Sequence, residues 1–304
     1  MTGGIEIGVQ FQGDGAGPKA FARRAEAAGF DSVWTGDHVA HIVDGLAALA
    51  LMAGATESIT IGLNVLVVPY RPAAVIAKSL ATIVLAAPGR VIAGFGVGGE
   101  FPEEFVATGA QVGQRGRVTD EALDVIRALW RGQPVTHHGR FSTLDDFTLE
   151  PAPPQAPTVW IGGRSDAALR RAVRHGDGYV PYLVSPEQLA ARVGKLRAFA
   201  TEAGRNPDEL AVGCLVTFIP GPSVESSVEL GLTSLKLSGL TPERVRAQYL
   251  LGDDESALAR LQDYVDSGAT HLILGCLPGP PELVDDFFAA AGRLQAAARA
   301  LRPA

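Results

Sequence analysis

Apolar and polar positions alternate along this chain in a repeating order. Residues 5–11, Ile-Glu-Ile-Gly-Val-Gln-Phe, alternate as a half-buried strand does. Pro18 suits the first position of a helix that places Phe21, Ala25 and Ala28 on one face and stops at Gly29. A second strand is predicted through Trp34 to His38, then a short helix at 44–54, then a third strand at 59–68 that is apolar at nearly every position. A strand apolar on both faces belongs in a parallel sheet covered by helices.

The rhythm continues with a helix from Pro72 to about 86, a turn at Pro88-Gly89 and a strand at 91–95. A long helix at 114–131 carries Val118, Ala122, Val125, Ile126 and Leu129 at the spacing of a core-facing stripe. Residues 133–157 break the pattern. Gly139-Arg140 between short β-prone runs predicts a hairpin, and Pro151, Pro153, Pro154 and Pro157 predict an extended return. Strands follow at 159–162, 178–180, 210–219 and 270–275, with helices at 165–175, 186–203, 241–250, 254–267 and 281–301. No pattern assigns 220–240. Eight strand-helix alternations without a second composition regime predict an α/β protein: one parallel eight-stranded (β/α)8 TIM barrel domain over 1–304, with 133–157 inserted. A doubly wound open sheet is the main alternative.

Composition removes several function classes. With 304 residues and 47% apolar content the chain can bury one large core. No apolar run reaches a membrane span, and the N-terminus lacks the features of a signal peptide, so a soluble cytoplasmic protein is expected. A net charge of −7, with acids and bases mixed, offers no cationic face for nucleic acid. Cys214 and Cys276 lie in apolar runs and read as reduced, buried thiols. No metal site is expected: His137 and His138 are adjacent, and neighbours on a strand point to opposite faces.

Candidate chemistry begins with Asp37-His38 at the end of the second strand, where α/β enzymes keep reactive groups. The plain alternative is that Asp37 caps a turn and His38 is a satisfied wall residue. The run Gly94-Phe-Gly96-Val97-Gly98-Gly99-Glu100 allows close backbone approach to a flat ligand, because glycine has no Cβ. No long helix begins directly after it, which rules out a nicotinamide Rossmann site. Gly162-Gly163-Arg164-Ser165 ends a strand and opens a helix, so its N–H groups and the helix dipole suit a phosphate, with Arg164 adding charge; capping by Ser165 alone is the competing reading.

Five stretches in register resemble the luciferase-like monooxygenase superfamily: Trp34-Thr-Gly-Asp-His, Arg90-Val-Ile-Ala-Gly-Phe-Gly-Val-Gly-Gly-Glu-Phe, Asp120-Glu-Ala-Leu-Asp-Val-Ile-Arg-Ala-Leu-Trp130, Trp160-Ile-Gly-Gly-Arg-Ser, and Gly252 with the helix to Gly268 and His271-Leu-Ile-Leu. The resemblance covers almost the whole chain and implies a bacterial luciferase-like barrel. Gly-Asp-His and Gly-Val-Gly-Gly-Glu-Phe look most like the branch that uses the deazaflavin coenzyme F420, with an FMN-dependent monooxygenase as the alternative and a non-catalytic flavin-binding barrel as a third reading. It implies Asp37 and His38 beside the ring, a cis peptide at Asn64-Val65 behind it, and the phosphate on 162–165. His38 is then the candidate proton carrier, because imidazole titrates near neutrality. Glu100 is a second catalytic candidate, against a role at a helix start.

The expected partner is a small organic substrate, in a homodimer. Gln10 and Gln12 replace the acid that sugar-phosphate dehydrogenases of this branch carry after strand one, and Lys78, Lys195 and Lys236 are scattered. Both observations argue against glucose 6-phosphate. Met52, Phe11, Phe101, Tyr70 and Tyr182 are candidate pocket walls, with core packing the alternative fate of each. Phe287, Phe288 and Leu294 on the last helix suit either core or interface.

Overall fold

The structure, a computed structural model, describes residues 4–13, 17–235, 240–277 and 281–302. The first half runs β1 (Glu6–Phe11), α1 (Gly17–Ala27), β2 (Ser32–Thr35), α2 (Gly45–Ala53), β3 (Thr60–Leu63), β4 (Leu66–Val67), α3 (Ala73–Ala86), β5 (Val91–Gly96), α4 (Pro102–Thr108) and α5 (Arg115–Leu129). A hairpin of β6 (Val135–His138) and β7 (Thr143–Phe147) follows. The second half runs β8 (Thr158–Gly162), α6 (Asp166–His175), β9 (Gly178–Val180), α7 (Pro186–Glu202), β10 (Ala211–Pro220), α8 (Val224–Ser234), α9 (Pro242–Gln248), β11 (Leu250–Gly252), α10 (Asp254–Asp266), β12 (His271–Gly275) and α11 (Pro281–Ala298).

Parallel pairing in the order β1-β2-β3-β5-β8-β9-β10-β12 returns to β1, which closes an eight-stranded barrel. An open doubly wound sheet has two edges, whereas these eight strands form a closed ring. The lumen is filled by two indoles, Trp34 and Trp160, whose ring centroids are 5.2 Å apart. Glycines on the strands around them admit them. Trp34 faces Gly62 in register, and a Cβ there would lie 2.2 Å from its ring; a Cβ at Gly213 would lie 2.4 Å from Trp160. The barrel is a packed core, and chemistry belongs at the C-terminal ends of its strands.

Three departures from the sequence reading matter. The apolar run 59–68 is not one strand. It breaks at a cis peptide between Asn64 and Val65, and β4 resumes against β5 before a short 3-10 turn at Val68–Tyr70. Residues 102–108 form a helix that the apolar pattern does not announce, set by Pro102 in its first turn and ended by Gly109 at φ 72°. The unassigned segment holds α8, entered through a Ser223–Ser226 capping box, while Lys236 lies outside the described residues.

Core packing took several residues with two possible fates. Phe11 and Met52 are buried among core side chains, so neither lines a pocket. Phe287, Phe288 and Leu294 are buried within the chain. Cys214 and Cys276 are free and buried.

Candidate active site

The loop after β2 carries Asp37 and His38 in opposite roles. Asp37 is buried and spends both oxygens on protein: Oδ1 accepts from Gly45 N (2.9 Å) and Arg71 Nη2 (2.8 Å), and Oδ2 from Val67 N (3.0 Å) and Arg71 Nη1 (2.7 Å). This bidentate pair ties the β2 loop to β4 and to the start of α2. Arg71 also reaches Asp44 at 2.6 Å, which itself caps α2 by accepting from Ala47 N. With these partners Asp37 organises the rim.

His38 keeps 25% of its side chain exposed. Its Nδ1 is 3.2 Å from both oxygens of Glu104, on the helix that the sequence reading missed. The Glu104 side chain is 1% exposed, and it accepts from Val39 N and Ala40 N at 2.9 Å and from the Tyr70 hydroxyl at 3.1 Å. Burial works against its charge. The Ala40 and Val39 N–H groups, with His38, outweigh burial and hold the carboxyl below its ordinary value. Burial and the Glu104 carboxylate together raise the Tyr70 phenol, so Tyr70 is a donor here. An ionised Glu104 only accepts, so the His38 nitrogen facing it carries the proton and Nε2 is left to exchange one.

Glu100 sits where the β5 loop meets the β8 loop. Its carboxylate is 3.7 Å from Arg164. Partial burial raises its carboxyl, against the opposing pull of Arg164. Phe101 stands beside the imidazoles, with ring centroids 5.1 Å from His38 and 4.0 Å from His41. The resulting wall on one side of the mouth is aromatic.

The broken third strand brings the remaining predicted residues together. Asn64 donates to Gln10 Oε1 at 3.2 Å, so an amide on β1 supports the bulge. Val65 lies against two neighbouring strand ends. A Cβ at Gly96 would be 2.3 Å from Val65 Cγ2, and one at Gly162 would be 2.7 Å from Val65 Cγ1. A Cβ at Gly98 would meet Val67 and Phe105, and one at Gly99 would meet Arg115. The glycine run was expected to let backbone approach a flat ligand closely; protein neighbours stand where side chains would be at Gly96, Gly98 and Gly99, and the backbone of 97–99 reaches the surface.

At the end of β8, Gly163 has φ 127° and its carbonyl accepts from the Tyr179 hydroxyl at 2.8 Å. Ser165 caps α6 by accepting from Ala168 N at 3.3 Å, and Arg164 lies over the Tyr182 ring at 4.8 Å. The head of α6 thus presents exposed backbone and one guanidinium at the mouth. Among the described residues no group of three His, Cys, Asp or Glu side chains is arranged to hold a metal, and no helix is long and apolar enough to cross a membrane. His137 pairs with Glu121 and His138 with Asp145. Lys195 pairs with Asp166 at 2.9 Å, and Lys78 donates to the Glu150 carbonyl.

Residues 14–236 match the family described as luciferase-like monooxygenase. The chain belongs to that family. It is 29% identical to the F420-dependent glucose-6-phosphate dehydrogenase of Microbacterium testaceum (strain StLB037), over 90% of this chain and 92% of that one. It is 30% identical to the enzyme of the same name from Kineococcus radiotolerans (strain ATCC BAA-149 / DSM 14245 / SRS30216), over 83% and 85%. Its fold is that of a solved F420-dependent secondary alcohol dehydrogenase in complex with an F420-acetone adduct, with a TM-score of 0.82, 23% identity and coverage of 96% and 99%.

Proposed function

We propose that this luciferase-like protein is a coenzyme F420-dependent oxidoreductase that transfers a hydride to or from an alcohol, ketone or activated alkene, with His38 moving the accompanying proton. The observation that carries the reading is the junction of four strand ends: His38 on Glu104, Val65 against Gly96 and Gly162, and Glu100 at 3.7 Å from Arg164. The residues fit the cofactor. Val65 and the backbone of 96–99 would hold the ring, and the head of α6 at Gly163, Arg164 and Ser165 would hold the phosphate. Asp37 serves that site from beneath, through Arg71.

When bound, coenzyme F420 supplies a two-electron hydride acceptor or donor. The protein's part is to position a substrate carbon, exclude water and handle one proton. In the oxidative direction His38 Nε2 takes the hydroxyl proton as the carbon gives up its hydride; in the reductive direction it returns that proton to oxygen. Glu104 holds the ring and balances the imidazolium that forms. Phe101 and His41 bound the substrate's side of the mouth.

Fluorescence titration of the purified protein with coenzyme F420 and with FMN tests the reading. Saturable binding of the deazaflavin supports it. Tight FMN binding with none for the deazaflavin overturns it in favour of a flavin monooxygenase.

A further inference from the structure

Two consecutive carbonyls leading into α6 are each held by a side chain from a neighbouring element. The Gly163 carbonyl accepts from the hydroxyl of Tyr179, on β9, at 2.8 Å, and the Arg164 carbonyl accepts from the guanidinium of Arg192, on α7. Tyr179 is buried, and burial raises its phenol, so the hydroxyl keeps the proton that it donates. Both bonds act on a turn that is exposed from Arg164 to Ala167.

A trans peptide sets its carbonyl and its N–H on opposite sides, and the cis bonds among the described residues are Asn64-Val65 and Glu150-Pro151. The peptides joining 163 to 164 and 164 to 165 are therefore trans. With their carbonyls drawn toward β9 and α7, the N–H groups of Arg164 and Ser165 turn the other way. Successive N–H groups facing one side make a concave anion seat. Its backbone is one that L side chains avoid: Gly163 has φ 127°, and a Cβ there would lie 2.9 Å from Ala168 Cβ. Asp166 is an acid at this head, and Lys195, one turn after Arg192 on α7, pairs with it at 2.9 Å.

We infer that Tyr179 and Arg192 are positioning residues: by holding the Gly163 and Arg164 carbonyls back, they aim the N–H groups of 164 and 165 at the cofactor's phosphate. The inference rests on the proposed function, which puts that phosphate at the head of α6. Each residue acts through a peptide plane and not through the ligand. Without its partner, either carbonyl oxygen is free to turn toward the phosphate, which it repels.

Fluorescence titration of the intact protein with the deazaflavin alcohol and with its phosphate ester tests the inference, because the two compounds differ by the phosphate alone. Tyr179→Phe removes one hydroxyl without changing charge, and Arg192→Met keeps the stem but loses the donor. High ionic strength screens the charge that the second variant removes. Thermal unfolding is recorded for each protein, and Arg192→Met decides if Tyr179→Phe does not fold. Each variant is expected to bind the ester about tenfold more weakly than wild type, and the alcohol as wild type does. Equal losses for both compounds would assign the residues to general stability, and no loss for either would leave them without a part; both results overturn the inference. So does a wild type that binds alcohol and ester equally well. A wild type that binds neither overturns the proposed function, and this inference with it.

Discussion

Val65 stands where a side chain on residue 96 would have to go: a Cβ on Gly96 would lie 2.3 Å from Val65 Cγ2. The bulge after β3 and the glycine at the end of β5 therefore specify each other. Gly96→Ala is expected to destabilise the protein by about 1–3 kcal/mol through overpacking and to weaken deazaflavin binding. Adding Val65→Ala should restore much of the stability. Urea denaturation of the two single variants and the double variant measures the coupling, and additive losses would separate the two residues.

His38→Ala should reduce turnover by roughly 10²–10⁴-fold while cofactor affinity changes little, because the imidazole is assigned to the proton and not to the ring. Glu104→Gln should reduce turnover less, since the imidazole remains but its Nδ1 partner is no longer a carboxylate. Steady-state kinetics beside a fluorescence titration checks both. Unchanged turnover in His38→Ala removes it from the mechanism.

Arg71→Ala strands the buried Asp37 carboxylate. A loss of about 3–5 kcal/mol is expected by urea denaturation, in line with breaking one side of a buried ion pair. The double variant with Asp37→Asn should be less destabilised than Arg71→Ala alone, because no charge is then left uncompensated.

Glu26 supplies the pH dependence. Burial acts against its charge, but the N–H groups of Ser58, Ile59 and Glu57 outweigh it and bring the carboxyl from 4.5 to about 2. A depressed folded value means stability that is complete above the unfolded value and lost as pH falls through the folded one. Wild type should therefore exceed Glu26→Gln in Tm at pH 7, and the gap should shrink between pH 4.5 and 2. A gap that stays constant across that range assigns the effect to packing.

The barrel was legible because buried parallel strands are apolar on both faces and the helices between them carry apolar stripes. The third strand misled for the same reason. Val65 and Leu66 are as apolar as Ile61 and Leu63, so nothing in their hydropathy marks the break, and only the resemblance pointed to Asn64-Val65. Helix α4 was hidden by its length and its acidic first turn, and with it went Glu104, the residue that His38 leans on. Pro102 followed by Glu103 and Glu104 was the available signal. Arg71 could not be found at all from the sequence, since its pairing with Asp37 joins two loops 34 positions apart.

The central claim is that the ends of β2, β3, β5 and β8 enclose one deazaflavin. A crystal structure of the protein soaked with oxidised coenzyme F420 tests it most directly. The account predicts the ring bounded by His38, Val65 and the backbone of 96–99, with the phosphate on the N–H groups of 163–165. Cofactor density bound elsewhere on the barrel, with this mouth left to solvent, would contradict it.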